Sequence, residues 1–267
     1  MEYQFNDEWT LHPVGGDTGQ AFMGTHNQEK IFLKRNSSPF LAALSMEGLT
    51  PKLIWTKRTT NGDVFSAQEW MNGHLLSKQE MQSMQVIRLM HHYQHSENLY
   101  SMLKRIGGEV WSAEDFLADF KANLPEDFAQ LSFVGEVLAY LSDTVQFATH
   151  AKKTVCHGDL NRKNFLLAED DRLYLVDWEM VKIADPMVDL TQVLVQYIPM
   201  ADWNRWFDQY GLTMSTEMYS RLEWYSLMNL LYLAQADFKK DRYYEFNQWI
   251  QKMKQIYTHR YYQRSNV

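Results

Sequence analysis

The sequence predicts an α+β fold of two lobes, a small lobe rich in β-strands followed by a larger lobe rich in helices. Short β-like runs separated by turn residues fill the chain up to Gly73, and helical periodicity dominates after it. The 267 residues, 45% of them hydrophobic, are enough to form a large core. We therefore place the first lobe at residues 1–72 and the second at residues 73–267.

The first lobe has the pattern of a small antiparallel sheet. Its β-like runs are bounded by glycine, asparagine and other polar turn residues, as expected for hairpins. The runs cover residues 11–14, 21–25, 30–34, 52–55 and 63–71. Between the third and fourth runs, residues 39–48 carry a short helical pattern that Gly48 ends.

Helix-start signals mark the second lobe. Ser77 followed by Glu80 matches a capping box, and apolar residues at helical spacing follow it, so we expect a helix there. Ser112 with Asp115 predicts another, and the apolar spacing across residues 128–141 predicts a third. Further helical patterns run from Val188 to the C-terminus.

Two strand-like runs interrupt these helices and predict a hairpin at residues 165–167 and 173–176. A polar turn at residues 168–172 separates the two runs. The sequence reads His-Gly-Asp-Leu-Asn-Arg-Lys-Asn at residues 157–164, just before the hairpin, and Leu-Val-Asp-Trp-Glu at residues 175–179, at its end. The hairpin thus brings the two polar segments towards one cleft.

The spacing of these acidic and amide residues suits phosphoryl transfer. A hydroxyl nucleophile needs a carboxylate that orients it and accepts its proton, and Asp159 can supply this group. Magnesium that bridges phosphates needs hard oxygen ligands, which Asn164 and Asp177 can supply. His157 is expected to brace the loop by hydrogen bonds, since Gly158 leaves room for the backbone to turn.

An alternative is that both segments are ordinary turns, whose Asp and Asn side chains cap helices or bind their own backbone. The combined pattern, placed behind a suitable N-terminal lobe, favours the kinase interpretation. His157, Asp159 and Asn164, followed by Asp177, resemble the signature of the aminoglycoside phosphotransferase and choline kinase family.

This resemblance implies a bilobal protein-kinase-like fold and an enzyme that transfers phosphate from ATP to a hydroxyl of a small molecule. It implies that Asp159 is the catalytic base and that Asn164 and Asp177 bind Mg²⁺. Asp185 and Asp189 follow in the position of the family's activation-segment-like stretch, and we expect Asp189 to anchor the catalytic loop.

The first lobe contains a lysine in the order expected of kinases. Lys34 lies in a strand-like run fifteen residues after a glycine-rich loop, which leaves room for one hairpin between them. The lysine can neutralise phosphates while loop amides cover them. The expected nucleotide-binding residues here are Gly16, Gly19, Gln20, Phe32 and Lys34. A plain hairpin turn and a surface lysine are the alternatives.

The end of the first lobe resembles the family's hinge. Glu69, Trp70, Met71 and Gly73 are assigned to the nucleotide site, with the backbone at Glu69 and Met71 facing the adenine edge. An ordinary strand end is the alternative for each side chain.

The sequence departs from the family pattern at one position. Relatives place a glutamate early in the helix after the lysine strand, near Ser38 or Phe40 here, to pair with that lysine. Glu47 comes much later in this chain. Either Glu47 reaches back to Lys34, or another residue holds the lysine.

Within the family, residues 36–45 and 55–63 resemble the cell-cycle regulator Z group of Gram-positive bacteria. That resemblance implies a kinase for ribose or a nucleoside, connected with the timing of division and replication, and cell-division or replication proteins as partners. The rival hypothesis is a nucleotide-sensing regulatory scaffold with weak or dispensable catalysis. The intact set of Asp159, Asn164 and Asp177 favours a working enzyme.

Composition and charge argue against several other classes. A net charge of −7 disfavours a protein that holds nucleic acid by its phosphates. The single cysteine, Cys156, cannot form an internal disulfide, which fits a reducing cytoplasm. Because no secretory signal or membrane-spanning apolar run is visible, we expect a cytoplasmic protein without membrane insertion.

His91 and His95 have metal-ligand spacing, but no third ligand completes a metal site, so we expect them to lie on a helix surface.

Overall fold

The computed structural model describes residues 9–14, 20–59, 62–149 and 151–259. Its N-terminal part is a five-stranded antiparallel sheet in the order β1-β2-β3-β5-β4. The strands are β1 (Thr10–Pro13), β2 (Ala21–His26), β3 (Glu29–Arg35), β4 (Leu53–Arg58) and β5 (Val64–Glu69), with helix α1 (Phe40–Met46) between β3 and β4. All five strands and the helix were predicted, each to within three residues at both ends.

Strand β3 has two different faces because successive side chains of a strand point to opposite sides of the sheet. Ile31 and Leu33 are buried and form a small apolar cluster with Ala67 of β5. Phe32 and Lys34 alternate with them and are half-buried. This alternation places Phe32 and Lys34 on the face opposite the apolar cluster.

The C-terminal part is mainly helical, which confirms the predicted fold class. Its helices are α2 (Met84–His95), α3 (Glu97–Arg105), α4 (Ala113–Ala122), α5 (Glu126–Ala129), α6 (Ser132–Thr144), α7 (Met187–Tyr197), α8 (Trp203–Tyr210), α9 (Thr216–Phe238) and α10 (Tyr243–Thr258). Helix α9 packs against α6, α7 and α10, and its buried residues, including Trp224 and Leu230, join one continuous apolar core. No helix within the described ranges is long and apolar enough to cross a membrane.

Five short strands accompany these helices: β6 (Gly73–Leu75), β7 (Thr154–Cys156), β8 (Phe165–Ala168), β9 (Leu173–Leu175) and β10 (Lys182–Ala184). The predicted hairpin is present as β8 and β9, which pair antiparallel. The sequence missed β6, β7 and β10, because three residues are too few to show alternation. Strand β6 pairs with β8 where a helical region was expected to begin.

Gly73 illustrates why β6 can lie so close to its neighbour. A Cβ atom at this position would lie 2.1 Å from the carbonyl oxygen of Leu167 on β8. The close approach of the β6 and β8 backbones is therefore enough to require glycine at this position, whether or not Gly73 contributes to the nucleotide site as predicted.

Two of the expected helices are interrupted. The capping box of Ser77 and Glu80 is formed, but it begins only a single 3₁₀ turn, and the extended backbone of Ser83 separates that turn from α2. The single helix expected across residues 128–141 is divided into α5 and α6 at Leu131, which is also extended. Apolar spacing continued across both breaks because the residues on either side pack on the same core.

A buried ion pair joins the start of α7 to α9. Arg221 donates from Nε to Oδ2 of Asp185 at 2.8 Å and from Nη2 to Oδ1 at 2.6 Å. The same carboxylate accepts from the amide of Met187, which is in the first turn of α7. Both side chains of the pair are at most 10% exposed. Removing one partner would leave a buried charge without compensation.

We expect Arg221→Met to lower the free energy of unfolding by about 3 kcal/mol, because Asp185 then stays buried without its partner. The matched control is Arg205→Met, which removes an exposed arginine paired with Asp202 and should leave stability nearly unchanged. Urea denaturation followed by tryptophan fluorescence measures both variants. Equal stability losses in the two variants would show that the buried pair has no special role.

Candidate active site

The loop that follows β7 is hydrogen-bonded to the buried side chain of Asp189 of α7. The amides of His157 and Gly158 donate to its two carboxylate oxygens at 2.7 and 3.0 Å, and the hydroxyl of Tyr93 donates at 2.6 Å. Asp189 is fully buried, and this burial raises the pKa of its carboxyl although the hydrogen bonds oppose the rise. The carboxylate thus fixes the backbone of the loop at its first two residues.

His157 connects the loop to the segment after β9. Its Nδ1 accepts from the amide of Asp159 at 3.2 Å, so its Nε2 carries the proton and donates to the carbonyl of Val176 at 3.0 Å. Burial lowers the pKa of the imidazole, which favours this neutral form. The ring packs edge-on against Trp178, with 4.6 Å between ring centroids.

Gly158 can be replaced by no larger residue without a shift of the backbone. Its φ is +85°, and an added Cβ would lie 2.6 Å from the carbonyl oxygen of Met180. Gln192 of α7 binds the loop on either side of Asp159, accepting from the amide of Leu160 at 2.7 Å and donating to the carbonyl of Gly158 at 2.8 Å. Gln192 was not predicted, because its only signal in the sequence is its position one helical turn after Asp189.

Asp159 and Asn164 lie side by side. The Asn164 amide nitrogen donates to the Asp159 side chain at Oδ2 and to its backbone carbonyl, both at 2.9 Å. Asn164 is buried, whereas Asp159 is exposed to solvent. The amide therefore fixes the carboxylate and leaves it accessible to a substrate.

Asp177 is tied to the same loop through the backbone. The amide of Val176 donates to the carbonyl of Asn164 at 2.8 Å. Asp177 itself adopts the left-handed conformation, with φ at 65° and ψ at 60°, which aspartate tolerates better than most residues. Its side chain is 48% exposed and accepts from Lys34 Nζ at 2.7 Å. The lysine on β3 and the two polar segments thus meet at one cleft.

Lys34 has a second acidic partner that the sequence analysis did not assign. Its Nζ lies 2.7 Å from Oε1 of Glu179, two residues after Asp177. Burial lowers the pKa of Lys34, but hydrogen bonds and charges from the two carboxylates outweigh burial, so the pKa is raised. Glu47 instead contacts His92 Nε2 at 3.1 Å and Ser96 Oγ at 2.6 Å. The second of the two predicted alternatives is therefore correct: Lys34 is held by other residues.

The other residues assigned to the nucleotide site in the sheet are only partly described. Gly16 and Gly19 lie outside the described residues. Gln20 directly precedes β2, and its carbonyl accepts a backbone hydrogen bond from the end of β3 at 3.0 Å. Phe32 lies two residues before Lys34 and on the same face of β3.

The end of β5 and the segment after it contain Glu69 and Met71, whose backbone was predicted to face the adenine edge. The amide of Glu69 donates to the carbonyl of Lys52 at 2.9 Å, so this group is already satisfied. In the part of the chain that the structure describes, the amide of Met71 has no hydrogen-bond partner. Trp70 is half-buried, and its indole nitrogen donates to Asn72 at 3.2 Å.

The oxygen donors at this cleft fit magnesium better than a transition metal. Asn164 and Asp177 offer amide and carboxylate oxygens, which are the hard ligands that Mg²⁺ prefers. Among the described residues, no group of three or more His, Cys, Asp or Glu side chains is arranged to hold a metal ion. His91 and His95 stack on the exposed surface of α2, with centroids 3.9 Å apart.

Solved structures share this architecture at low sequence identity. Choline kinase LicA from Streptococcus pneumoniae is 16% identical, with a TM-score of 0.68 over 94% of this chain and 95% of that one. APH(2″)-IIia, solved with GDP and kanamycin, is 12% identical, with a TM-score of 0.61 over 97% and 96%. A choline/ethanolamine kinase family protein from Mesorhizobium loti is 15% identical, with a TM-score of 0.60 over 93% and 87%. These likenesses confirm the kinase-like fold.

The sequence itself matches a family profile over most of its length. The profile of the phosphotransferase enzyme family matches residues 27–225. This stretch contains Lys34, the loop of residues 157–164 and Asp177, which the structure brings to one cleft. The chain belongs to the phosphotransferase enzyme family.

Proposed function

We propose that the protein is an ATP-dependent kinase that transfers the γ-phosphoryl group to a hydroxyl of a small molecule. The observation that carries this proposal is the connected set at the cleft. Asp159 is bonded to Asn164, the backbone of Asn164 is bonded to Val176, and the next residue, Asp177, is bonded to Lys34. Phosphoryl transfer needs a proton acceptor, metal ligands and a phosphate-binding cation at one place.

Asp159 orients the acceptor hydroxyl and accepts its proton as the new O–P bond forms, while the bond between the γ-phosphorus and the β,γ-bridging oxygen breaks and ADP leaves. The Asn164 amide nitrogen holds the carboxylate in position, which leaves the amide oxygen of Asn164 and the carboxylate of Asp177 as ligands for Mg²⁺. When bound, Mg²⁺ neutralises charge on the β- and γ-phosphates. Lys34 would bind phosphate oxygens, and its contact with Glu179 would keep the ammonium in place if Asp177 served as a metal ligand.

The nucleotide lies between the sheet and the segment after β5 in this proposal. The free amide of Met71 is a donor for the adenine edge, and Phe32 lies on the same face of β3 as Lys34. Gly16, Gly19 and Gln20 are proposed to cover the phosphates. LicA has been solved in complex with AMP, and APH(2″)-IIia with GDP, which supports nucleotide binding by this fold.

The acceptor is proposed to be ribose or a nucleoside, and the cellular role to be control of division and replication. Both points rest on the resemblance of residues 36–45 and 55–63 to the Gram-positive cell-cycle regulators. Cell-division or replication proteins are the partners that this role implies. The names of the solved relatives point to choline and aminoglycosides, but identities of 16% or less carry the fold and not the acceptor.

A screen of acceptors tests the function directly. ATP consumption is measured with ribose, nucleosides, choline, thiamine and aminoglycosides at two ionic strengths. A neutral acceptor should have a KM that is nearly independent of salt, whereas a cation attracted by the net charge of −7 should bind less well as screening rises. Tight ATP binding without transfer to any acceptor would favour a nucleotide-sensing scaffold instead.

Asp159→Asn should lower kcat at least about 100-fold and leave Mg·ATP binding intact, because it removes the proton acceptor and no metal ligand. Steady-state kinetics and ATP titration measure the two effects. Asp170→Asn, an exposed change in the turn between β8 and β9, is the matched control. Turnover near that of the wild type would contradict the assignment of Asp159.

Asp177→Ala should weaken Mg²⁺-dependent ATP binding at least about tenfold, because it removes a charged ligand from the metal. The affinity for ATP is compared with and without Mg²⁺ in wild type, Asp177→Ala and Asp159→Asn. If Asp177→Ala keeps the metal dependence of the wild type, the metal is bound elsewhere.

Glu179→Gln should lower kcat/KM for ATP about threefold to fivefold, because Lys34 loses the partner that orients it; the pair is partly exposed, so the effect is modest. Glu47→Gln makes the same chemical change at a residue bonded to His92 and Ser96 and should have little effect. A larger loss in Glu47→Gln than in Glu179→Gln would show that Glu47 orients the lysine after all.

A further inference from the structure

A cavity of about 330 Å³ lies at the C-terminal end of α7, bounded by residues 198–203 and by α10. Its volume is at the lower end of the range of small-molecule pockets, about 300 to 1,000 Å³. Its polar lining side chains are Gln196, Tyr197, Lys252 and Gln255, and Trp203 and Ile256 contribute apolar surface. This lining suits a compact ligand with both hydroxyl groups and a flat face.

The cavity is connected to the catalytic loop through α7. The hydroxyl of Tyr197 accepts from the amide of Arg162, three residues after Asp159, at 2.9 Å. Gln192, one turn before Gln196, binds the peptide groups on either side of Asp159. Burial raises the pKa of Tyr197, and the negative charge of Asp159 adds to this rise, as expected for close neighbours. Tyr197 therefore both lines the cavity and contacts the loop that carries the proposed base.

The charge of the lining is distinctive. Among the residues that line the cavity, Lys252 is the only charged one. In the described ranges, Lys252 has no carboxylate within ion-pair distance. Burial, and then the positive charge of Lys78, lower the pKa of Lys252, so the neighbouring charge is also positive. The cavity thus has a positive local charge in a protein whose net charge is −7.

The position of Lys252 has a simple local cause. In a helix, the carbonyl of Val195 would accept from the amide of residue 199, but residue 199 is proline and has no N–H. Lys252 Nζ supplies the missing donor, at 2.6 Å from the Val195 oxygen. This bond uses one of three N–H groups, so two remain to bind a ligand.

We infer that this cavity receives the acceptor of the proposed kinase and that Lys252 is a specificity-determining residue that selects against cationic acceptors. The inference rests on the proposed function. A cation in the cavity would be repelled by Lys252 at short range, where the local charge outweighs the distant net charge. Hydroxyls of a neutral acceptor can instead bind to Lys252 and Gln255, while Trp203 packs on a ring.

The test compares acceptors of equal shape and different charge. Ribose, adenosine and an aminodeoxy analogue of each are assayed, with the ammonium replacing a hydroxyl other than the one that receives phosphate. The readout is the ratio of kcat/KM for the neutral compound to that for its cationic analogue. We expect the wild type to prefer the neutral compounds and Lys252→Gln to reduce this ratio about tenfold, because the repulsion is lost.

The variant and its controls separate charge from packing. Glutamine keeps an N–H group that can donate to the Val195 carbonyl, and an unchanged KM for ATP shows that the variant is folded. Lys254→Gln makes the same charge change two residues away, at an exposed position outside the cavity, and should leave the ratio unchanged. Gln196→Glu adds a carboxylate to the cavity while leaving Lys252 in place, and should also reduce the ratio about tenfold.

The outcomes distinguish this inference from the proposed function. If the wild type is active and both Lys252→Gln and Gln196→Glu have the same ratio as the wild type, the inference is wrong and the proposed function stands. The same conclusion follows if the wild type uses the cationic analogues as well as the neutral compounds. A wild type that phosphorylates no hydroxyl compound would overturn the proposed function and with it the inference.

Discussion

The buried carboxylate of Asp189 is the constraint on which the rest of the site depends. A fully buried charge is unfavourable unless hydrogen bonds surround it, and Asp189 accepts them from Tyr93, His157 and Gly158. Two of these donors are backbone amides of the loop at residues 157–164, so the loop cannot move without leaving the carboxylate short of donors. Asp159 is the next residue after Gly158, so its backbone is held in position by the same hydrogen bonds. The site is therefore built on the helical core and not on a mobile surface loop.

A second set of contacts, the ion pairs of Lys34 with Asp177 and Glu179, joins the sheet to the helical part. In many kinases the lysine on the third strand is oriented by a glutamate from the N-terminal lobe. Here the acidic partners of Lys34 come from the segment after β9, and Glu47 is bonded to residues of the helical part. The position of the lysine thus depends on how the sheet sits over residues 177–179. If Asp177 binds a metal as proposed, its contact with Lys34 would change, and Glu179 would remain as the acidic partner of the lysine.

The local charge of the proposed acceptor cavity differs from that of the whole molecule. Long-range attraction follows the net charge of −7, whereas the proposed selection within the cavity follows its one charged lining residue, Lys252. The lysine is fixed there because Pro199 leaves a helix carbonyl without a donor. If Lys252 selects the acceptor as proposed, one side chain links a backbone requirement of α7 to that selection.

The sequence by itself determined the fold class, the strands of the sheet, the β8–β9 hairpin and the group of Asp159, Asn164 and Asp177. The strands, the hairpin and the polar group are local features, since each depends on spacing within about twenty residues, and the fold class follows from the order of such features along the chain. It also assigned Lys34 but could not name its partner, because Glu179 is 145 residues further along the chain and meets it only across the cleft. Tertiary structure alone decided the breaks at Ser83 and Leu131, the contacts of Gln192 and the cavity beside α7. Each of these depends on packing between distant segments, for which no periodicity in the sequence is a signal.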